Sequence, residues 1–220
     1  SNVAIFKKGS DITHPILEPI LDDLLVSPDH IRKIQEKIQK WFEETYLSKL
    51  DLSDKLKKIN SKPEERSFIF KIIESQYNLY QINILDEFKL IDEPQRKEIH
   101  SLNFRLGKNV IFNSELIRPE YMKLKFYLWN LYNNEFLNID EYIPKDGNAT
   151  LNIQNKLNED LLTFLGFISK DNLLIRLDIF NEFEKQLFKR ENRGPFSLPM
   201  DLSNLLGIKK DKLISIIKSR

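Results

Sequence analysis

The sequence lacks several residue patterns on which common enzyme sites depend. It contains no cysteine, which excludes disulfides, thiolate metal sites and a cysteine nucleophile, and which is typical of a reducing compartment. Its six glycines lie far apart, so neither a phosphate-binding loop nor a dinucleotide fingerprint is present. The three histidines are isolated and have no zinc-type spacing. We therefore expect no cofactor and no metal on this chain.

Long apolar runs are also missing. No stretch approaches the ~20 apolar residues that a membrane-spanning helix needs, and no basic start followed by an apolar stretch indicates a signal peptide. Together with the missing cysteine, this pattern predicts a cytoplasmic protein without a membrane partner.

The charges are balanced overall but unevenly distributed. There are 34 basic and 33 acidic side chains in a chain that is 41% hydrophobic, a composition typical of a folded domain without a global field for nucleic acid. Residues 185–220 carry nine basic and three acidic side chains, a net charge of +6. Residues 11–30 carry five acids and no Lys or Arg. Any electrostatic recognition is therefore expected to be local.

Helix-start signals punctuate the first part of the chain. Ser27 before Pro28 predicts a helix start, because a capping hydroxyl and a proline at the first helical position both favour one. Ser61 with Glu64 has the spacing of a capping box. A further helix is predicted over 118–133, again with proline in its first turn.

Two segments have the pattern of short hairpins. Apolar residues at even positions over 104–112 flank Gly107-Lys108-Asn109, and apolar runs over 167–177 flank the polar turn 169–172. The most distinct turn signal, Pro144-Lys145-Asp146-Gly147, lies between these hairpins. The main domain boundary is therefore predicted there.

This organisation predicts four segments. Residues 1–9 are expected to be a tag remnant or linker, 10–137 an N-terminal helical unit with a hairpin, 138–150 a linker, and 151–220 a smaller helical unit. The last segment has the pattern of a helix, a tight turn at Gly207 and a second helix. The predicted fold class is mainly α with two or three short β-hairpins and helix–turn–helix elements, for which a winged form is left open.

The basic C-terminal segment coincides with this helix–turn–helix pattern. Such a unit can lay its second helix on nucleic acid, where each Lys or Arg beside a phosphate adds affinity by releasing counterions. The alternative is a solvated basic face of a small helical subdomain. The candidate nucleic-acid-binding residues are Arg193, Lys209, Lys210, Lys212 and Lys218, with Arg105 and Lys108 as a second patch.

Two weaker patterns have ordinary structural interpretations. Tyr121, Tyr127 and Tyr132 have the composition of a stacking platform for single strands, but their helical spacing favours packing. Arg176 and Asp178, two residues apart on a predicted strand, favour an ordinary surface ion pair.

A series of short motifs follows one another in the segment 103–129 and in two later stretches, 166–178 and 196–207. The motifs are Arg105-x-Gly107, Ile111-Phe112, Leu116-Ile117-Arg118-Pro119, Leu128-Trp129, Gly166-Phe167, Ile175-Arg176-Leu177-Asp178, Phe196-Ser197-Leu198-Pro199 and Leu205-Leu206-Gly207. This series resembles part of the C-terminal half of bacterial MgpS-type superfamily II helicases, which are related to the RNA helicase of the mitochondrial degradosome. The likeness covers roughly 11–220, and its specific part is 103–129.

The resemblance implies a parent protein that uses ATP to unwind RNA, in RNA degradation. ATP and magnesium would belong to the motor, whose motifs this sequence does not contain, and the chain itself would not be an enzyme. Its expected role is auxiliary RNA contact or bracing of the motor, so its expected partners are RNA and the motor. The alternatives are a docking module that tethers the helicase to another protein, and an enzyme of unrecognised type.

Overall fold

The computed structural model describes residues 3–21, 27–59, 62–145, 148–154, 157–191 and 200–218. About 55% of the chain is helical, and three small antiparallel sheets of two or three strands accompany the helices. The prediction of a mainly helical fold with short hairpins is confirmed at this level.

Helices and short strands both occur along the described parts of the chain. A π-helical turn, Glu43–Leu47, continues α1, and a 3-10 turn occupies Ile139–Glu141. The helices are α1 (Pro28–Phe42), α2 (Ser48–Leu50), α3 (Ser53–Lys57), α4 (Pro63–Glu74), α5 (Ile84–Lys89), α6 (Glu93–Ser101), α7 (Pro119–Asn133), α8 (Glu159–Leu165), α9 (Leu177–Glu191), α10 (Met200–Leu206) and α11 (Lys210–Lys218). The strands are β1 (Ala4–Lys7), β2 (Ile16–Pro19), β3 (Asn78–Tyr80), β4 (Phe104–Leu106), β5 (Val110–Asn113), β6 (Thr150–Asn152), β7 (Phe167–Lys170) and β8 (Leu173–Arg176).

Both predicted hairpins are confirmed. In β4–β5, Leu106 pairs with Ile111, and in β7–β8, Lys170 pairs with Leu173. The second turn has positive φ at Asp171 (47°) and Asn172 (57°), the backbone that two-residue hairpins require and that Asp and Asn tolerate. Each hairpin gains a third strand that was not predicted, so the sheet orders are β3-β5-β4 and β6-β8-β7.

The two three-stranded sheets belong to two units with the same topology. In the first unit, α4 leads to β3, then α5 and α6, then β4 and β5. In the second, α7 leads to β6, then α8, then β7 and β8. The last strand lies in the middle of the sheet in both units. The fold therefore contains an internal repeat followed by the helices α9 to α11.

Among the described residues, three apolar clusters form the core, and the second and third contain residues from both sides of the predicted linker 138–150. The first joins α1 to α6 with β2, β4 and β5 and reaches Tyr121 and Leu128 of α7. The third joins α7 to α8 and to β7. The second joins Phe112 of β5 to Phe180 and Phe183 of α9 and to Leu206 and Leu213 of α10 and α11. Within the predicted linker, Tyr142 is buried in the third cluster. Residues on both sides of the linker thus share one core.

The helix starts agree with the sequence, but their caps differ. At α1 the Ser27 hydroxyl makes no cap bond and lies 2.9 Å from His30 Nδ1 instead. Ser61 of the predicted capping box lies outside the described residues. The N-cap of α4 is Lys62, whose N–H donates to Glu65 Oε2 over 2.7 Å. The reciprocal carboxylate of the box is therefore one residue later than predicted.

The N-terminal segment is also more ordered than a linker. Residues 4–7, within the predicted tag remnant or linker 1–9, form β1 and pair with β2. Phe6 packs edge-on against Phe42 of α1, with ring centroids 5.4 Å apart. This hairpin therefore packs onto the first helix.

Candidate nucleic-acid interface

The feature that most resembles a binding site is a cleft of about 600 Å³ in the second unit. We call it the basic cleft. Its rim carries the cations Lys123, Lys145 and Arg176, and among the described residues its lining includes no carboxylate. Amide side chains also line the cleft, from Asn148, Asn152 and Asn204. Its apolar floor is formed by Met122, Phe167 and Leu205. The cleft therefore suits a ligand that combines negative charge with an apolar or aromatic part.

Three different elements bring these cations together. Lys123 lies in the second turn of α7, Lys145 precedes the residues that lead to β6, and Arg176 ends β8. The Arg176 N–H donates to Ala149 O over 3.1 Å, which holds β8 beside the start of β6. Arg176 also donates to Asp178 from Nε (2.7 Å to Oδ1) and Nη2 (2.9 Å to Oδ2). This bidentate pair, predicted as a surface ion pair, fixes the guanidinium at the cleft wall.

The turn between α10 and α11 closes one end of the basic cleft. The Thr150 hydroxyl donates to Leu206 O over 2.9 Å, so β6 is tied to the end of α10. Gly207 follows with φ +64°, a left-handed conformation that favours glycine and that ends α10. Lys209 and Lys210 come immediately after this turn, and both side chains are exposed. Two of the predicted nucleic-acid-binding residues therefore follow, by two and three positions, the glycine that lines this end of the cleft.

The other predicted C-terminal residues differ in their surroundings. Lys218 is exposed in the last turn of α11, two helical turns or about 12 Å from Lys210. Lys212 donates from Nζ to Asp171 O and lies 3.4 Å from Asp171 Oδ2. Lys212 therefore anchors α11 to the β7–β8 turn. Arg193 lies outside the described residues.

Two side chains of α11 keep the Asp171 carboxyl ionised. The Ser215 hydroxyl and the Lys212 ammonium, both from α11, hold the pKa of the Asp171 carboxyl below its usual value. The carboxylate is thus ionised at neutral pH, and α11 stays attached to the second hairpin by an ion pair as well as by its apolar face.

Arg105 and Lys108, the predicted second patch, lie on the β4–β5 hairpin and do not line the basic cleft. Arg105 is exposed and donates from Nη1 to Phe104 O over 3.1 Å. Lys108 Nζ lies 5.1 Å from the centre of the Phe188 ring of α9, a cation–π contact. The hairpin tip is therefore docked on α9, where Lys108 has an aromatic partner.

The tyrosines considered as a stacking platform do not share a surface. Tyr121 is 6% exposed and packs against Tyr46, with centroids 6.4 Å apart, whereas Tyr127 is 59% exposed. The packing interpretation that their helical spacing favours is confirmed for Tyr121.

The sequence does not predict that the three cations of the basic cleft lie together. The sequence singles out Arg176 only for its ion pair with Asp178 and Lys145 only as part of a turn signal. The three cations are separated by 22 and 31 positions, and only the unpredicted strand β6 brings them together. No spacing in the sequence signals this arrangement.

One buried ionisable group lies away from the basic cleft. Lys125 on α7 is 1% exposed, and burial lowers its pKa from 10.5 to about 7. Its Nζ donates to Phe164 O near the end of α8, which also accepts from Asn78 Nδ2 over 3.3 Å. Lys125 lines no wall of the basic cleft. It therefore acts as a packing and capping residue between α7 and α8.

A chain of hydrogen bonds around Tyr77 is also structural. Its hydroxyl donates to Asp51 Oδ1 over 2.9 Å and accepts from Leu52 N over 2.9 Å. Burial raises the pKa of Tyr77, so the phenol stays protonated as this geometry requires. Burial opposes ionisation of Asp51, yet bonds from Ser53 and Tyr77 hold its pKa below the usual value. The network ties the start of α3 to the end of α4.

Comparison of the sequence with protein-family models, with curated proteins and with solved structures returned no match. Within the described ranges, no group of three or more His, Cys, Asp or Glu side chains is arranged to hold a metal ion. In the same ranges, no helix combines the length and the apolar character needed to cross a membrane.

Proposed function

We propose that this chain is a nucleic-acid-contacting module that binds phosphates at the basic cleft and along the adjoining Lys209-Lys210 segment. The observation that carries the proposal is the convergence of Lys123 and Lys145, together with Arg176 in its ion pair with Asp178, on a cleft with no described carboxylate in its lining. In a chain with a net charge of only +1, such local segregation of charge is what electrostatic recognition of a polyanion requires.

The resemblance of 103–129 to MgpS-type helicases supports RNA as the nucleic acid and an ATP-dependent RNA helicase as the parent. Under this proposal the chain is an accessory region that contacts RNA beside the motor or braces it. No catalytic step is assigned to its residues. ATP and magnesium would act in the motor.

The finer fold assignment belongs to the same proposal. The pair α10 and α11, joined through Gly207, supports a helix–turn–helix unit, and helices followed by a hairpin in each repeat support a winged form. The wing of the first repeat would not be the nucleic-acid contact, because its tip packs on α9. Asn109 Nδ2 there donates to the buried Glu184 Oε1 over 2.8 Å.

Charge reversal in the basic cleft tests the proposal. Lys145→Glu should weaken RNA binding several-fold and should lower the slope of log affinity against log salt by about 1, since a phosphate contact is lost. Lys37→Glu on α1 is the matched control, because it makes the same change of charge at an exposed lysine that does not line the cleft. Fluorescence anisotropy with labelled RNA measures both. If both variants bound RNA with the same affinity and the same salt dependence, the cleft would be excluded as a phosphate-binding site.

Protein docking is a second candidate, because the β1–β2 hairpin and the end of α1 expose large apolar side chains. Phe6 is 42%, Ile16 48% and Trp41 53% exposed, on elements that pack together. Such a patch is typical of a protein interface. A photo-cross-linking residue at position 16 should then capture the helicase motor or its partner. The same residue at Phe136, which is fully exposed elsewhere, should not.

A further inference from the structure

A second basic recess lies in the first unit, between α3 and α4. We call it the α3–α4 pocket. It encloses about 540 Å³, with Lys57, Lys58 and Arg66 at its edge and Phe70 on its wall. Leu56 and Ile69 form the apolar floor, and both are buried. The pocket is separate from the basic cleft, with which it shares no lining residue.

The position of Phe70 is unusual for its helix. The apolar side of α4 is built from Phe68 (4% exposed), Ile69 (3%) and Ile72 (0%), whereas Phe70 is 50% exposed. Among the described residues, no other aromatic ring packs against it. Arg66 precedes Phe70 by one helical turn, so a cation and an open ring lie on the same side of α4.

Lysines dominate the segment that leads from α3 into α4, and the exposed acid on the Phe70 side of α4 is Glu74, one helical turn after the ring. Residues 55–62 contain four lysines and no acid. Lys57 and Lys58 are exposed, and neither forms an ion pair with a described residue. The carboxylate of Glu65 is directed away, since it accepts from Lys62 N over 2.7 Å and from Asp92 N over 2.9 Å. Its charge is therefore used at the starts of α4 and α6.

From this arrangement we infer that the α3–α4 pocket binds single-stranded nucleic acid, with one base stacked on Phe70 and the flanking phosphates beside Lys57, Lys58 and Arg66. A ring with cations next to it matches the alternation of base and phosphate along a single strand. A duplex keeps its base faces stacked inside, so it offers the pocket phosphates alone. The inference rests on the proposed function, to which it adds a second contact and a preference for unpaired strands.

The test compares ring variants in the full chain. Phe70→Leu keeps an apolar side chain but removes the ring, and it should weaken binding to oligo(U) about tenfold, the equivalent of ~1.4 kcal/mol. Phe70→Tyr keeps the ring and should retain the affinity. Phe136→Leu, at a fully exposed phenylalanine outside the pocket, is the matched control and should have no effect. Duplex RNA should bind all four proteins equally.

A cross-link gives the second readout. Ultraviolet irradiation of the complex with oligo(U) should attach the base to the peptide that contains Phe70, and Phe70→Leu should abolish that adduct while Lys145→Glu should leave it in place. The inference is overturned if Phe70→Leu behaves like Phe136→Leu, or if it weakens duplex binding equally. In either case a remaining effect of Lys145→Glu would leave the proposed function standing. Absence of any binding by the unchanged chain would overturn both.

Discussion

Replacing Lys125 by methionine should make the fold more stable at neutral and mildly acidic pH. Lys125 is 1% exposed between α7 and α8, where its Nζ donates to Phe164 O and lies 5.1 Å from the centre of the Phe164 ring. Methionine has a similar length and flexibility without the charge, so it can fill the same space. The Phe164 carbonyl would keep a donor, because Asn78 Nδ2 lies 3.3 Å from it. The substitution therefore removes a buried ionisable group and leaves no new unpaired carbonyl.

The size of the effect follows from the pKa of Lys125. Burial lowers this pKa from 10.5 to about 7, so between these values the unfolded chain holds a proton that the folded chain has released. Folding stability therefore rises with pH across this window. It is lowest below pH ~7, where the folded chain holds Lys125 as a buried ammonium. At ~1.4 kcal/mol per pKa unit the full rise is about 5 kcal/mol. From about pH 6 to about pH 9 it amounts to about 2 to 3 kcal/mol.

Urea unfolding of the two proteins at several pH values measures this difference. The Lys125→Met protein should gain most over the unchanged protein near pH 6, and the gain should shrink as pH rises to 9. Lys37→Met, at an exposed lysine of α1, is the control and should show no such pH-dependent difference. A pH-independent gain, or a loss of stability at pH 6, would refute the assignment of a costly buried ammonium at this position.

Two further predictions concern the packing of the fold. Glu65→Ala should cost about 3 kcal/mol of unfolding free energy, because the carboxylate accepts from both Lys62 N and Asp92 N while only 5% exposed; a urea midpoint unchanged within error would contradict this. Gly107→Ala should loosen the β4–β5 hairpin from α9, because a Cβ there would overlap Asn181 Oδ1. Adding Asn181→Ala should recover part of this lost stability, so the double variant should be more stable than the summed losses of the two single variants predict. If the two losses simply added, the proposed overlap with Asn181 would be wrong.

The sequence predicted the elements that depend on local signals. Pro119 and the apolar spacing after it placed α7, and the polar turn 169–172 placed the second hairpin. The strands β3 and β6 were missed because each has only three residues and gains its order from pairing with a hairpin formed later in the chain. The internal repeat was missed for the same reason, since it is a property of strand order and has no counterpart in residue spacing.

The candidate site was predictable only in part. The basic C-terminal segment pointed to Lys209 and Lys210, and these lysines do follow the turn at the basic cleft. The same reasoning could not separate them from Lys212, which an ion pair to Asp171 occupies, because that contact joins residues 41 positions apart. Local charge indicates where cations are abundant, whereas tertiary pairing decides which of them face solvent.

The most direct test of the central claim is fluorescence anisotropy of the unchanged chain with labelled single-stranded RNA across a salt series. We expect binding at low salt, with a log affinity that falls linearly as log salt rises. Its slope should correspond to several phosphates, since the basic cleft and the lysines after Gly207 act together. Failure to bind at the lowest salt, or an affinity that does not change with salt, would contradict nucleic-acid contact by these residues.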